Sequence, residues 1–246
     1  MAEYSTTTLG FGSGSRQLYY RKKSSDEAVM KQIFADQQYN LTRIARCAEL
    51  MTFAKKQEEK GRRPLVVDAG ANIGLSALYF LGNMPTAHVV AIEPDLENFK
   101  LLEKNVAGLD VEMVRGAVSA TTGQARVVDP GRGHWAYRTQ ALAEGVELKD
   151  AVPRVTLNDI YQSCRSKYFP FIVKVDIEGA EEDMFSGATE WIAATPIVIV
   201  ELHDWMFPKA GKSRPFLQCV SQLERDFIGI DADIYSIAND LTALER

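Results

Sequence analysis

The stretch Val66–Val67–Asp68–Ala69–Gly70–Ala71–Asn72–Ile73–Gly74, read VVDAGANIG, decides the fold of this chain. An apolar run ends in an acidic residue, a turn holding two glycines follows, and an apolar helical run from Ile73 to Leu81 opens behind it. Gly70 and Gly74 permit a tight turn and let a ligand approach the backbone closely. The helix start offers N–H groups with no intrahelical partner. Outward from this turn the same alternation repeats. His88–Ile92 reads as a second strand, Leu96–Val106 as a helix and Val111–Val114 as a third strand. Strand, helix, strand, helix, strand within about fifty residues signals a parallel sheet with crossover helices.

Three ligands compete for such a loop. A dinucleotide asks for G-x-G-x-x-G, and here Asn72 stands where the middle glycine belongs. A nucleoside triphosphate asks for G-x-x-x-x-G-K-[ST]. Gly211–Lys212–Ser213 ends that way, but Met206 replaces the first glycine and no strand leads into it. S-adenosylmethionine carries no phosphate, and an Asp before the turn suits its cationic methionine end. Glu93, about twenty residues after the turn in Ala91–Ile92–Glu93–Pro94–Asp95, is placed to accept ribose hydroxyls. NAD would use Glu93 equally well. Asp95 reads as the N-cap of the following helix.

Four segments together resemble a known family: VVDAGANIG at 66–74, AIEPD at 91–95, KVDIEGAE at 174–181 and VELH at 200–203. Their order and spacing, over roughly residues 64–205, are similar to the FkbM-type S-adenosylmethionine-dependent methyltransferases. The resemblance implies an α/β, Rossmann-like class I methyltransferase fold: a seven-stranded, mostly parallel sheet with an antiparallel last strand and flanking helices. It implies methyl transfer, usually to a hydroxyl on a sugar or natural-product scaffold. By position it assigns Asp68, Gly70, Ala71, Asn72 and Gly74 to the methionine end, Glu93 and Pro94 to the ribose, and Gly116, Ala117 and Val118 to the adenine. Asp176 and Glu178 would face the reacting centre.

Open α/β sheets bind ligands at the carboxyl ends of their strands. Asp176, Glu178, Glu201 and His203 fall there, on two strands expected to be neighbours. Glu201 and His203, two apart, share a face if the strand persists. Methyl transfer to oxygen needs alignment of acceptor, methyl and sulfur and a base for the hydroxyl proton. His203, with an ordinary pKa near ~6.5, is the expected base. Asp176, Glu201 and His203 could instead hold Mg²⁺ to polarise the acceptor, although imidazole is a poor ligand for it. Lys174, two before Asp176, reads as an ion-pair partner. Alternative readings are N-methylation of an amine or peptide, a NAD-linked oxidoreductase, and a catalytically silent S-adenosylmethionine-binding subunit.

The rest of the chain sets the frame. With 246 residues, 46% hydrophobic and 25% charged, it is neither disordered nor fibrous. A net charge of −5 provides no global field for nucleic acid. Cys47, Cys164 and Cys219 are odd in number and far apart, so reduced thiols and a cytoplasmic location are expected. No apolar run approaches the ~20 residues of a membrane span, and no membrane partner is expected. Residues 1–25, rich in Gly, Ser and Thr, read as a flexible arm; 26–62 as a helical extension opening with a capping box at Ser24 and Glu27; 63–246 as the methyltransferase domain. A closing hairpin is expected from Ile228–Ile237 and Leu241–Leu244. His134, Trp135 and Tyr137, in a long loop over 129–150, suit a lid over a small-molecule acceptor. That loop and the N-terminal helices could equally form a homodimer interface.

Overall fold

The computed structural model describes residues 4–128, 138–143 and 150–245. An antiparallel hairpin, β1 (Ser5–Phe11) and β2 (Gly14–Tyr20), precedes α1 (Asp26–Met30), a π-helical turn at Lys31–Ala35, a 3-10 turn at Leu41–Arg43 and α2 (Cys47–Glu59). Then follow β3 (Arg63–Ala69), α3 (Leu75–Asn83), β4 (His88–Ile92), α4 (Leu96–Val106), β5 (Val111–Val114), β6 (Ala117–Val118), β7 (Gly123–Val128), β8 (Arg138–Ala141) and β9 (Val152–Val155). The chain continues through α5 (Leu157–Cys164), β10 (Tyr168–Val175), α6 (Glu181–Phe185), α7 (Glu190–Ala193), β11 (Ile197–Glu201), α8 (Arg214–Val220), β12 (Arg225–Ile230) and β13 (Asp233–Ala238).

Seven strands form the main sheet in the order β12-β13-β11-β10-β3-β4-β5. β11, β10, β3, β4 and β5 pair parallel, and β13 runs antiparallel to both its neighbours. This is the class I architecture expected. Side-chain alternation along the strands feeds two cores. Val66, Val89, Ile172 and Ile199 pack on one face with residues of α2, α3 and α4. Val67, Val90, Val173 and Val200 pack on the other with residues of α5, α6, α7 and α8. Pro170 is tolerated in a central strand because the β10–β3 register slips between Pro170 and Ile172, and a bulge relieves the missing donor.

Three expectations are corrected. The stretch read as a flexible arm contains a hairpin pinned to α4. The backbone of Tyr19 exchanges hydrogen bonds with the Asn105 amide at 2.8 and 3.0 Å, and Arg16 donates to the carbonyls of Asn105 and Ala107. Local composition does not reveal this, because the stabilising partners lie about ninety residues away. The closing hairpin is Arg225–Ile230 with Asp233–Ala238, turning at Asp231 rather than between Ile237 and Leu241; residues 242–245 form a 3-10 turn. Asp231 takes the left-handed conformation that a tight turn needs, with φ of 55°. Within the span read as a long loop, β8 joins β6, β9 and β7 in a second, four-stranded sheet. His134, Trp135 and Tyr137 lie outside the described residues. Among the described residues no helix is long and apolar enough to cross a membrane.

Candidate active site

The turn after β3 is built as its glycines suggest. Gly70 adopts φ of 80°, and a Cβ there would lie 1.7 Å from the carbonyl oxygen of Asp176. Only glycine lets the β3 and β10 ends come this close. The N–H groups of Gly70 and Ala71 both donate to the Ile92 carbonyl at 3.0 Å, so Ala71 has no free donor for a ligand. Gly74, with φ of 87°, caps α3; a Cβ there would lie 2.7 Å from the Leu102 side chain. Gly74 therefore serves α3–α4 packing rather than ligand contact.

Glu93 is buried just beyond β4. One carboxylate oxygen accepts from Asn72 N–H at 2.8 Å and the other from Asp95 N–H at 2.9 Å. Burial, aided by the charge of Asp95 and opposed by these hydrogen bonds, pushes its carboxyl up to about 7. Asp95 caps α4 through the N–H groups of Glu97 and Asn98, as its sequence position suggests. Gly70, Asn72, Glu93, Pro94, Gly116, Ala117, Val118, Asp176 and Glu178 line one pocket of about 540 Å³. Ile92, Asn98, Thr139 and Ile177 complete it beside them. Thr139 reaches it from β8, within the span where the sequence suggests a loop.

Asp68 stands behind this pocket rather than in it. It is fully buried, accepts from Ser76 Oγ at 2.5 Å and lies 3.3 Å from Lys174 Nζ. Lys174 donates to the Gly70 carbonyl at 2.8 Å and sits 3.6 Å from Asp176. The Asp expected to meet the ligand's cation thus meets Lys174, because Asp68 and Lys174 are cross-strand partners in β3 and β10.

His203 does not occupy the position of an exposed base. It is buried, with Nδ1 2.9 Å from Glu181 Oε1. Its Nε2 faces Glu178 at 3.5 Å, Asp176 at 3.6 Å and Glu201 at 3.8 Å. Burial opposes its charging, but the hydrogen bond and charge of Glu181, with Asp176 and Glu178, outweigh this and raise it to about 9. His203 thus keeps its proton to higher pH than the carboxyls beside it, which makes it the less available base. The carboxyls in front of it are raised as well, for a different reason. Burial and the charge of Asp176 raise Glu178 to about 8 and Glu201 to about 7, against the pull of His203. Glu178 also takes φ of 57°, a conformation costing roughly 1 kcal/mol or more and found at functional sites.

A second pocket, of about 850 Å³, adjoins the first. Glu201 and Lys174 line it from the sheet; Ser25, Gln32, Gln38 and Tyr39 line it from the N-terminal extension. Asp233, overlooked in the sequence, pairs with Glu201 across β11 and β13 and accepts from Gln38 at 2.7 Å. No sequence signal marks it. Glu181 was visible within KVDIEGAE but carried no assigned role.

The residues present fit S-adenosylmethionine. Buried Asn72 Oδ1 and Asp176 Oδ1 have no hydrogen-bond partner, and Glu93, Asp176 and Glu178 line the pocket, an acidic lining that suits a cationic ligand. They do not fit Mg²⁺. The donors that converge are Asp176, Glu178 and His203, not the expected set with Glu201, and an imidazole at the centre suits Mg²⁺ poorly.

The profile of the Methyltransferase FkbM domain matches residues 68–228, more than half of the chain. The chain belongs to the FkbM methyltransferase family. The FkbM domain is a methyltransferase domain, and the oxidoreductase reading falls with that membership. Methyltransferase sdnD of Sordaria araneosa is 24% identical to it over 232 aligned positions, which cover 79% of this chain and 82% of the relative. Among solved structures, methyltransferase FkbM from Methylobacillus flagellatus KT is similar with a TM-score of 0.48 and 16% identity over 85% of this chain. The chain spans 58% of the length of that structure. M. capricolum TrmK, solved with S-adenosyl-homocysteine, is similar with a TM-score of 0.32 and 13% identity, covering 77% of this chain and 66% of that one.

Proposed function

We propose that the FkbM domain methylates a hydroxyl oxygen of a small-molecule acceptor, a sugar or natural-product scaffold. The observation that carries this reading is the border between the two pockets: Gly70, Asn72, Asp176 and Glu178 line both. The first pocket takes the cofactor and the second the acceptor, so the reacting atoms meet beside Asp176 and Glu178. When bound, S-adenosylmethionine supplies an electrophilic methyl on its sulfonium.

The chain's own residues do the remaining work. A hydroxyl must shed its proton as it attacks, and a base with a pKa near the operating pH serves best. Glu178, raised to about 8, is the proton acceptor in place of His203. His203, kept protonated and fixed by Glu181, holds the Asp176 and Glu178 carboxylates in position. Lys174 ties Asp176 to the Gly70 turn and so sets the pocket border.

An amine acceptor is the second reading. It is favoured by the acidic wall of the second pocket, where Asp176, Glu178 and Glu201 face a single lysine already engaged by Asp68. The deciding experiment incubates the purified chain with S-adenosylmethionine and panels of hydroxyl and amine acceptors, then locates the added methyl by NMR. An O-methyl product whose formation drops about 10²–10⁴-fold in Glu178→Gln supports the first reading. An N-methyl product, or full rate in Glu178→Gln, overturns it.

A further inference from the structure

We infer that the chain carries a second ligand site, for a zinc-class transition-metal ion, formed by His88, Glu112 and Cys164. The three come from different elements: the first residue of β4, the middle of β5 and the last residue of α5. One donor atom from each, an imidazole nitrogen, a carboxylate oxygen and the Cys164 sulfur, lie within 4.8 Å of one another. His88 Nε2 and Glu112 Oε2 are 3.8 Å apart. Bond lengths of roughly 2.0–2.3 Å from zinc to N, O and S donors place tetrahedral ligands roughly 3.3–3.7 Å apart. A small contraction, within reach of the exposed Glu112 side chain, closes the set.

His88 is prepared for the task from its far side. Its Nδ1 lies 2.6 Å from Asp110 Oδ1, and the other Asp110 oxygen takes a 2.6 Å hydrogen bond from Arg63. An anchored carboxylate on one ring nitrogen fixes the tautomer and leaves the lone pair of Nε2 for a metal. The ring is further held by stacking on Tyr168, with centroids 4.3 Å apart and planes 11° apart. Cys164 is a free, buried thiol. A surface groove lined by Cys164, Arg165 and Tyr168 reaches the thiol side of the set. Three protein donors leave a fourth position for water. The mixed N, O and S set selects zinc or a similar borderline ion over Mg²⁺ or Ca²⁺.

This site is separate from the cofactor pocket. His88 begins β4 and Glu93 follows its end, so roughly 16 Å of strand lies between them at about 3.3 Å per residue. Metal binding releases the Cys164 proton to solvent and ties α5 to the start of β4 and to β5.

The test is a cobalt titration of the full, metal-stripped chain under reducing conditions. The expected result is a thiolate-to-cobalt charge-transfer band with the visible bands of a four-coordinate ion, bleached by added Zn²⁺. Cys164→Ser abolishes the band, Cys47→Ser and Cys219→Ser retain it, and Asp110→Asn weakens affinity about 10–100-fold. His203→Gln leaves it unchanged, which separates this site from the acidic cluster at the pocket. Protection of Cys164 from a thiol reagent by Zn²⁺, read by mass spectrometry, checks the wild-type chain without mutation. Absence of the band and of protection, or a band that survives Cys164→Ser, overturns the proposal.

Discussion

Nε2 of His203 stands 3.5 Å from Oε2 of Glu178, with the imidazole raised to about 9 and the carboxyl to about 8. Both groups hold their protons at neutral pH, and Glu178 is the first of the two to change state as pH rises. Once an acceptor is in hand, the methylation rate climbs with pH as Glu178 ionises and falls as His203 loses its proton near 9. Glu178→Gln removes the rising limb and His203→Gln the falling one. A rate profile controlled by a single group near ~6.5, the ordinary histidine value, contradicts this arrangement.

Stability should fall as pH rises from 5 to 9 in the cofactor-free protein. Glu93, Glu178, Glu201 and Asp233 are raised to about 7, 8, 7 and 6, chiefly by burial. Their unfolded values lie near ~4. His203 is raised to about 9 against an unfolded value near ~6.5. In each case the folded chain holds the proton more tightly, so stability is full below the unfolded pKa and is lost as pH passes the folded one. Melting temperatures at pH 5, 7 and 9 check the sign, and Glu93→Gln flattens the acid side of the curve.

Gly70→Ala places a methyl group where the Asp176 carbonyl already stands, 1.7 Å from the added Cβ. The strand ends must part, which opens the pocket border as well as straining φ of 80°. The expected outcome is a melting temperature lowered by several degrees and S-adenosylhomocysteine affinity reduced at least tenfold by calorimetric titration. Wild-type affinity in this variant would show that the turn does not shape the cofactor pocket.

Glu93→Ala removes the acceptor of the Asn72 and Asp95 N–H groups and the carboxylate we propose for the ribose hydroxyls. Hydrogen bonds to a charged group contribute about 1.5–3 kcal/mol, so S-adenosylhomocysteine should bind about 10–100-fold more weakly. Pro94→Ala, on the same pocket wall but without that carboxylate, stays within a few-fold of wild type.

Lys174→Met strands Asp68 as a buried charge beside only Ser76. Breaking one side of a buried ion pair costs about 3–5 kcal/mol. The double variant Lys174→Met with Asp68→Asn should recover much of that stability by chemical denaturation, yet not cofactor binding. The Gly70 carbonyl still lacks its 2.8 Å donor.

What the sequence determined by itself was the scaffold and the family. VVDAGANIG, AIEPD and KVDIEGAE are local signals: an apolar strand, an acid at its end and a glycine where the backbone turns sharply. Local chemistry dictates local conformation, so β3, β4, α4 and the Asp95 cap followed from neighbours in the chain. Long-range burial and charge could only be decided by the tertiary structure. Asp68 and Lys174 are 106 residues apart, yet parallel pairing of β3 and β10 makes them partners and takes Asp68 out of the ligand's reach. His203 is surrounded by four carboxylates because β11, the β10–α6 turn and α6 bring them around it, and we propose that it holds a proton there rather than acting as the base. Gln38 and Asp233, 195 residues apart, carry no signal in sequence because the meaning of an isolated polar residue is set by what surrounds it when folded.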